Sequence, residues 1–430
     1  MPIARIESLD REGRGVAHVE GKTIFVDGAV TGEEVEYASY RKKPSFELAQ
    51  VVGTSQESAS RVVPRCAFFG TCGGCSMQHV DGSTQVAAKQ RVLEDALWHV
   101  GRVRPETMLR PLHGLAWGYR HRARLSARWV EKKGGSLVGF RERKSTYVTD
   151  MTSCEVLPPS VSGLIRPLRA LLDSLALRER MPQIEVAVGD EQTVLVLRVL
   201  EAVGAEDGER LKRFADGHGV QIWLQPAGPD SAQPFWPPDP PGLVYSLPQF
   251  GVRISFAPTD FTQVNHAVNR LLVARAIGLL DPRPGEGVID FFCGLGNFTL
   301  PIARNGAEVL GVEGSAPLLA RAQANARANG LAEACSFAMA NLFDAAECAR
   351  LPACDKALLD PPREGAVELV KSFAEKPPGR IVYGSCDPAT LARDAGVLVN
   401  ALGYRLAAAG VVNMFPHTSH VESIALFERE

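Results

Sequence analysis

The 430-residue sequence has no run of 18 apolar residues, and its most apolar stretch, residues 271–280, is interrupted by Arg275. A membrane-spanning helix is thereby excluded. An apolar leader is also missing: Arg5, Glu7, Asp10, Arg11 and Glu12 stand where a signal peptide needs hydrophobic residues, so a cytoplasmic location is expected. Neither sign of charge dominates, with 47 Lys+Arg against 49 Asp+Glu. That balance speaks at first against a nucleic-acid partner, but a whole-chain sum conceals local fields. No internal repeat is present. A composition of 45% hydrophobic and 22% charged residues excludes collagen-like, disordered and small disulfide-stapled classes. At roughly 100–200 residues per domain, the length implies two to four domains.

What the chain does have is nine cysteines, unevenly spread. Three fall in Cys66-Ala-Phe-Phe-Gly-Thr-Cys72-Gly-Gly-Cys75, and the next in sequence is Cys154. In a reducing compartment a tight group favours metal over disulfide. Gly70, Gly73 and Gly74 let the backbone wrap closely and turn N–H groups toward sulfur. Zinc and a [4Fe–4S] cluster both accept four thiolates, and His79 is an alternative fourth ligand. The x₅ gap, the single x₂ pair and the distant fourth cysteine tilt the spacing toward iron–sulfur.

Residues 1–55 read as five short strands with glycine turns, a small barrel of the OB type. A helix is expected from about Thr84 to His99. Residues 101–150 hold twelve Lys/Arg against four acids, a local excess of +8, so the other 380 residues carry −10. Period-two alternation in Tyr119-Arg-His-Arg-Ala-Arg-Leu-Ser-Ala-Arg-Trp129 places several cations on one strand face. Arginines interleaved with Trp117, Tyr119, Trp129, Phe140 and Tyr147 suit single-stranded RNA, through phosphate contacts and base stacking; a solvated basic face is the bland alternative. Residues 226–241, rich in Pro, Asp and Gly, read as a surface loop.

From Phe261 onward strands and helices alternate as in a doubly wound α/β domain. Strands are expected at 287–292, 308–312, 356–359, 380–384 and 424–427, with a helix at 318–329. The first strand runs into Asp290-Phe-Phe-Cys-Gly294-Leu-Gly296-Asn297-Phe-Thr299, where Thr299 takes the place of a third glycine, which disfavours a dinucleotide. Glu313 ends the second strand, where an acid holds ribose hydroxyls, and Asn341 and Asp344 follow the next. Together these suit a nucleoside-bearing cofactor, S-adenosylmethionine better than NAD. Leu358-Leu-Asp360-Pro-Pro-Arg363 ends a further strand with an acid at the ligand-binding edge. Cys386 follows another strand end, and the helix starting near Pro388 offers N–H groups and a dipole that favour thiolate. It is a candidate nucleophile, against the usual reading of cysteine as a small buried residue. Glu422, at the start of the last strand, is available as a base.

A thiolate, a base and a methyl donor together suit methylation of C5 of a pyrimidine. Thiolate addition at C6 makes C5 nucleophilic, C5 takes the methyl group, and a base removes the C5 proton as the thiolate leaves. The base must be single-stranded or flipped out.

These residues resemble the bacterial RNA uridine-C5 methyltransferases, specifically the 23S ribosomal RNA type with an N-terminal TRAM barrel and an iron–sulfur cluster. The resemblance spans nearly the whole chain and is carried by Cys66-x₅-Cys72-Gly-Gly-Cys75 with Cys154, Phe261-Thr-Gln263-Val-Asn265, 291–299, Leu359-Asp-Pro-Pro-Arg363, Ser385-Cys-Asp-Pro-Ala-Thr390 and His420-Val-Glu422-Ser. It implies a multidomain α/β protein: a TRAM barrel at 1–57, a central α+β iron–sulfur and RNA-binding domain at 58–258, and a Rossmann-like methyltransferase domain at 259–430. The part near 82–115 is expected to pack with the last of these. It further implies a [4Fe–4S] cluster on Cys66, Cys72, Cys75 and Cys154. S-adenosylmethionine would be held by Gln263, Phe292, Asn297, Glu313, Asn341 and Asp360, with Cys386 as nucleophile and Glu422 as base. Pro362 and Asp387 depart from the Ala and Asn more usual in the family. The expected partner is a single-stranded or unfolded segment of ribosomal RNA, with the protein acting as a monomer. Transfer RNA or another ribosomal uridine as substrate, and a non-enzymatic RNA-binding assembly factor, are the alternatives.

Overall fold

A computed structural model describes residues 1–429. Its first 56 residues form one six-stranded sheet. Alternation decides its inner face: in Glu34–Lys42, Val35 and Tyr37 are buried while Glu34, Glu36 and Ala38 face out. Those two join Ile6, Ile24, Val26 and Ala49 in a separate apolar cluster. Six strands replace the five expected, because the first stretch divides into Ile3–Arg5 and Ser8–Leu9, which pair with different neighbours. Fully buried Glu33 accepts from Val30 N (2.8 Å) and from Arg61 Nη2 (2.7 Å), tying the sheet to the cysteine-bearing segment.

A second six-stranded sheet spans residues 122–236. Its strand Arg122–Val130 buries Ala123, Leu125 and Ala127 and turns Arg124 and Arg128 outward, the alternation expected for this segment. The stretch expected to be only a loop, 226–241, contains the strand Gln233–Trp236, which pairs antiparallel with Gln221–Gln225. It lies at the sheet's edge, where Pro234 lacks no ladder partner.

The third large sheet has eight strands. Cys335–Met339, Glu308–Glu313, Gly287–Phe291, Lys356–Leu359 and Arg380–Ser385 run parallel in that spatial order. The apolar runs of Gly287–Phe291, Lys356–Leu359 and Arg380–Ser385 are buried on both faces, as a helix-covered parallel sheet requires. Strand order reverses between Gly287–Phe291 and Lys356–Leu359, opening a crevice at their carboxyl ends. Glu422–Glu428 then pairs antiparallel with Arg380–Ser385, and Arg405–Val412, not expected as a strand, pairs antiparallel with Glu422–Glu428. The far edge is closed by Thr107–Met108, parallel to Arg405–Val412.

The helix Gly82–Ala96, N-capped by Asp81, docks on the helix Pro388–Asn400 and on Arg405–Val412. It ends in a π-helical turn, Leu97–Gly101, where an α-helix to His99 was expected. The hairpin of Leu243–Leu247 and Val252–Phe256 shares an apolar cluster with the helix His266–Leu280 and with Val288 and Leu358 of the third sheet. Chain on both sides of the second sheet thus packs with the third. No helix among the described residues is long and apolar enough to cross a membrane.

Candidate active site

A cavity of about 500 Å³ opens at the carboxyl ends of the parallel strands. Gln263, Phe292, Asn297, Glu313, Asn341, Asp360, Cys386 and Glu422 all line it. The turn after Gly287–Phe291 forms its floor. Gly294 (φ +54°) and Gly296 (φ +90°) adopt left-handed backbone there, and Phe292 holds φ +62° without being glycine, a strain of the kind concentrated at functional sites. Phe292 packs 5.7 Å from Phe343, and exposed Phe261 completes an aromatic rim.

Glu313 ends its strand and braces the turn: its carboxylate accepts from Gly294 N (3.1 Å) and Ser315 N (3.0 Å). Its remaining lone pairs face the cavity's hydrogen-bonding space. Asn297 is more constrained than its motif suggests. Its Oδ1 accepts from Tyr245 Oη (3.0 Å) and Asn269 Nδ2 (2.9 Å), and its Nδ2 donates to Asn269 Oδ1 (3.0 Å). One amide proton is left for a ligand. Asn341 Oδ1 accepts from Phe343 N. Asp344, grouped with it in the sequence reading, instead caps the helix Ala345–Arg350 and does not line the cavity.

The reactive end is built by the antiparallel ladder. Ser385 pairs with Ser423, so the next residues outward, Cys386 and Glu422, meet at the ends of adjacent strands. Asp360 approaches from Lys356–Leu359, over Gly384 of the neighbouring strand, where a Cβ would stand 2.7 Å from Asp360 Oδ1. Burial pushes the Glu422 carboxyl up to about 8, with Asp360 adding to the rise and Lys89 opposing it. Burial likewise raises Asp360 to about 6. At Cys386 two influences oppose each other. Asp387 does cap the following helix, accepting from Ala389 N, yet burial, then Glu422 and Asp360, push the thiol up to about 11.

Sequence reasoning missed Tyr245 and Asn269, and it missed Lys89, whose Nζ reaches the loop beside Glu422. Arg363, quoted only as part of a motif, lies at the rim 3.4 Å from His420 Nδ1.

Elsewhere, Cys66, Cys72, Cys75 and Cys154 surround one small cavity, which His79 does not line. Gly74 N approaches Cys72 Sγ at 3.4 Å. Burial, reinforced by the other three sulfurs, pushes the Cys75 thiol up to about 12. No group of three or more His, Cys, Asp or Glu among the described residues is arranged to hold a metal ion. A polar groove of about 600 Å³ runs beside these cysteines, lined by Arg14, Arg120, Arg141, Arg143, Lys144 and His420. Lys144 and Arg143 are partly engaged by Asp27 of the first sheet, at 2.7 and 3.7 Å. Arg120 lies over the Phe140 ring at 5.3 Å.

Residues 251–430 match the family model described as tRNA (Uracil-5-)-methyltransferase. The 23S rRNA (uracil(1939)-C(5))-methyltransferase RlmD of Nitrosospira multiformis is 60% identical over 428 residues, covering 99% of this chain and 98% of the relative. Its counterpart in Dechloromonas aromatica is 59% identical over the full length of both. Among solved structures, the Pyrococcus abyssi tRNA (uracil-54, C5)-methyltransferase in complex with S-adenosyl-L-homocysteine superposes with a TM-score of 0.76 at 22% identity, over 99% of this chain and 100% of that one, a likeness of fold. With the cysteine and glutamate joined at the ends of paired strands and near-full-length identity of this order, the chain belongs to the RlmD family of uracil-C5 methyltransferases.

Proposed function

We propose that this chain methylates C5 of a uridine in 23S ribosomal RNA with S-adenosylmethionine, acting as a monomer in the cytoplasm on a single-stranded or locally unfolded RNA segment. The observation that carries this reading is that Cys386 and Glu422 meet on the wall of a cavity whose opposite wall suits a nucleoside. That wall offers a glycine turn for close approach, free lone pairs on Glu313, one free amide proton on Asn297, and the apolar faces of Phe292 and Phe343. Gln263, Asn341 and Asp360 complete the donor-binding set.

Cys386 is the nucleophile. Its sulfur adds to C6 of the flipped uracil, so electron density moves onto C5. When bound, the donor supplies the methyl group that C5 takes and a sulfonium charge that favours thiolate over thiol at Cys386. Glu422 accepts the C5 proton, the C–H electron pair re-forms the C5–C6 double bond, and the Cys386 thiolate is expelled. Glu422 must be ionised to do this, and its raised affinity for protons also makes it the stronger base.

The four cysteines around one small cavity supply the four thiolates that a [4Fe–4S] group takes. Cys66, Cys72, Cys75 and Cys154 would hold it and give this part of the chain a rigid cross-link. The adjoining groove, with Arg120 and Arg141 on its wall, is positioned to take RNA phosphates, and the first sheet would serve as the TRAM barrel flanking it.

The test is transfer of labelled methyl from S-adenosylmethionine to 23S rRNA taken from a strain lacking the enzyme. Cys386→Ala is expected to bind RNA and donor but to transfer no methyl; normal turnover would overturn the mechanism.

A further inference from the structure

The mechanism leaves one buried charge unused. The helix Gly82–Ala96 turns Gln85, Lys89 and Leu93 inward, the i, i+4, i+8 stripe of one helical face. Lys89 is only 2% exposed. Its Nζ donates to Asn413 Oδ1 at 2.7 Å and to the Phe415 carbonyl at 2.8 Å. Both acceptors belong to the segment that leaves the strand Arg405–Val412, and Val412 is the residue opposite Glu422 in the ladder. One turn earlier, Gln85 accepts from His417 N (2.8 Å) and donates to the carbonyls of Met77 (3.0 Å) and Val80 (2.8 Å). The two side chains therefore anchor the loop 413–417 from below, and Lys89 places a cation beside the start of the Glu422 strand.

Neutral acceptors satisfy the amine's N–H groups but not a buried charge. The carboxylate that faces Lys89 is Glu422, and the coupling is mutual. His417 and His420 also face it, and burial disfavours their charged forms. Around Glu422 the other groups, Asp360 and the Cys386 thiol, make ionisation harder or leave it unaided. Lys89 is thus the cation that opposes them.

We propose that Lys89 is a positioning residue for the general base: held on Asn413 and Phe415, its ammonium favours the Glu422 carboxylate inside a water-poor site against the pull of burial and of Asp360. This rests on the reading of Glu422 as the base. Burial draws Lys89 down to about 7 and Glu422 up to about 8, and each charge favours the other.

The experiment compares pH profiles of single-turnover release of free methylated RNA by the full-length protein. Lys89→Gln keeps two N–H donors for Asn413 and Phe415 but removes the charge. Its rising limb is expected to move up by about one pH unit, with about tenfold slower product release and more trapped RNA–protein adduct at neutral pH, recovering as pH rises. Lys89→Arg, which keeps the cation, should retain the original limb. If Lys89→Gln does not fold, Lys89→Met serves for the same comparison. A folded Lys89→Gln or Lys89→Met whose profile superposes on the unmodified enzyme overturns the proposal. Glu422→Gln separates the two readings. If it traps the adduct while the Lys89 variants leave the profile unmoved, only the role of Lys89 fails; if it turns over normally, the assignment of the base fails first.

Discussion

Replacing Gly384 by Ala adds one methyl group to the middle of the site. That Cβ would stand 2.7 Å from Asp360 Oδ1 and 3.4 Å from Asp360 Cγ. Ordinary contact begins near 3.4 Å, so the two strands or the carboxylate must yield by about 0.7 Å. Gly384 is held in register opposite Ile424. Asp360 is followed by Pro361 and Pro362, which stiffen the turn on its other side. Overpacking of this kind costs about 1–3 kcal/mol, so the melting temperature should fall by a few degrees. The larger effect is on the chemistry: a displacement approaching 1 Å at a positioning carboxylate lowers the rate by up to about 100-fold. Single-turnover methyl transfer at saturating RNA, with donor affinity from calorimetry, measures both consequences. A folded Gly384→Ala enzyme within about threefold of the original rate and with unchanged donor affinity would show that the close approach of Asp360 is incidental.

Two further outcomes follow from the charges. The chemical step needs Glu422 as carboxylate and Cys386 as thiolate, and both are raised. A raised acid is ionised only above its shifted value, so single-turnover release of methylated RNA should climb with pH through about 8; a release rate flat from pH 6 to 9 would contradict the environment drawn for Glu422. Anaerobic purification should give a brown protein with about four iron atoms per chain, lost in Cys154→Ala; stoichiometric zinc in place of iron would refute the cluster.

Local motifs were legible because their chemistry is short-range. The cysteine spacing, the glycine turn, Asp360 before two prolines and Cys386 after a strand each announce themselves within ten residues, and the fold brings them to two sites. What was illegible depends on distant chain. Lys89 looks like an ordinary surface lysine until the strand Arg405–Val412 is laid across its helix. Arg405–Val412 itself carries three alanines and a glycine, weak strand formers, and its pairing is imposed by its neighbours. The groups that oppose a Cys386 thiolate were hidden for the same reason: the helix that follows it is visible in sequence, whereas the two carboxylates that face it come from other strands. The free valences of Asn297 could not be counted without knowing that Tyr245 and Asn269 already occupy them.

The strand Thr107–Met108 closes an edge whose partner, Arg405–Val412, lies about 300 residues later. During synthesis from the N-terminus, this strand and the helix Gly82–Ala96 are made long before the surface that receives them. On the inward face of that helix, Lys89 has neither of its acceptors and Gln85 lacks His417 until the last eighth of the chain has left the ribosome. The catalytic centre therefore cannot be completed piecemeal: its base, the loop beside that base and the edge strand lock together only when the final hairpin is inserted.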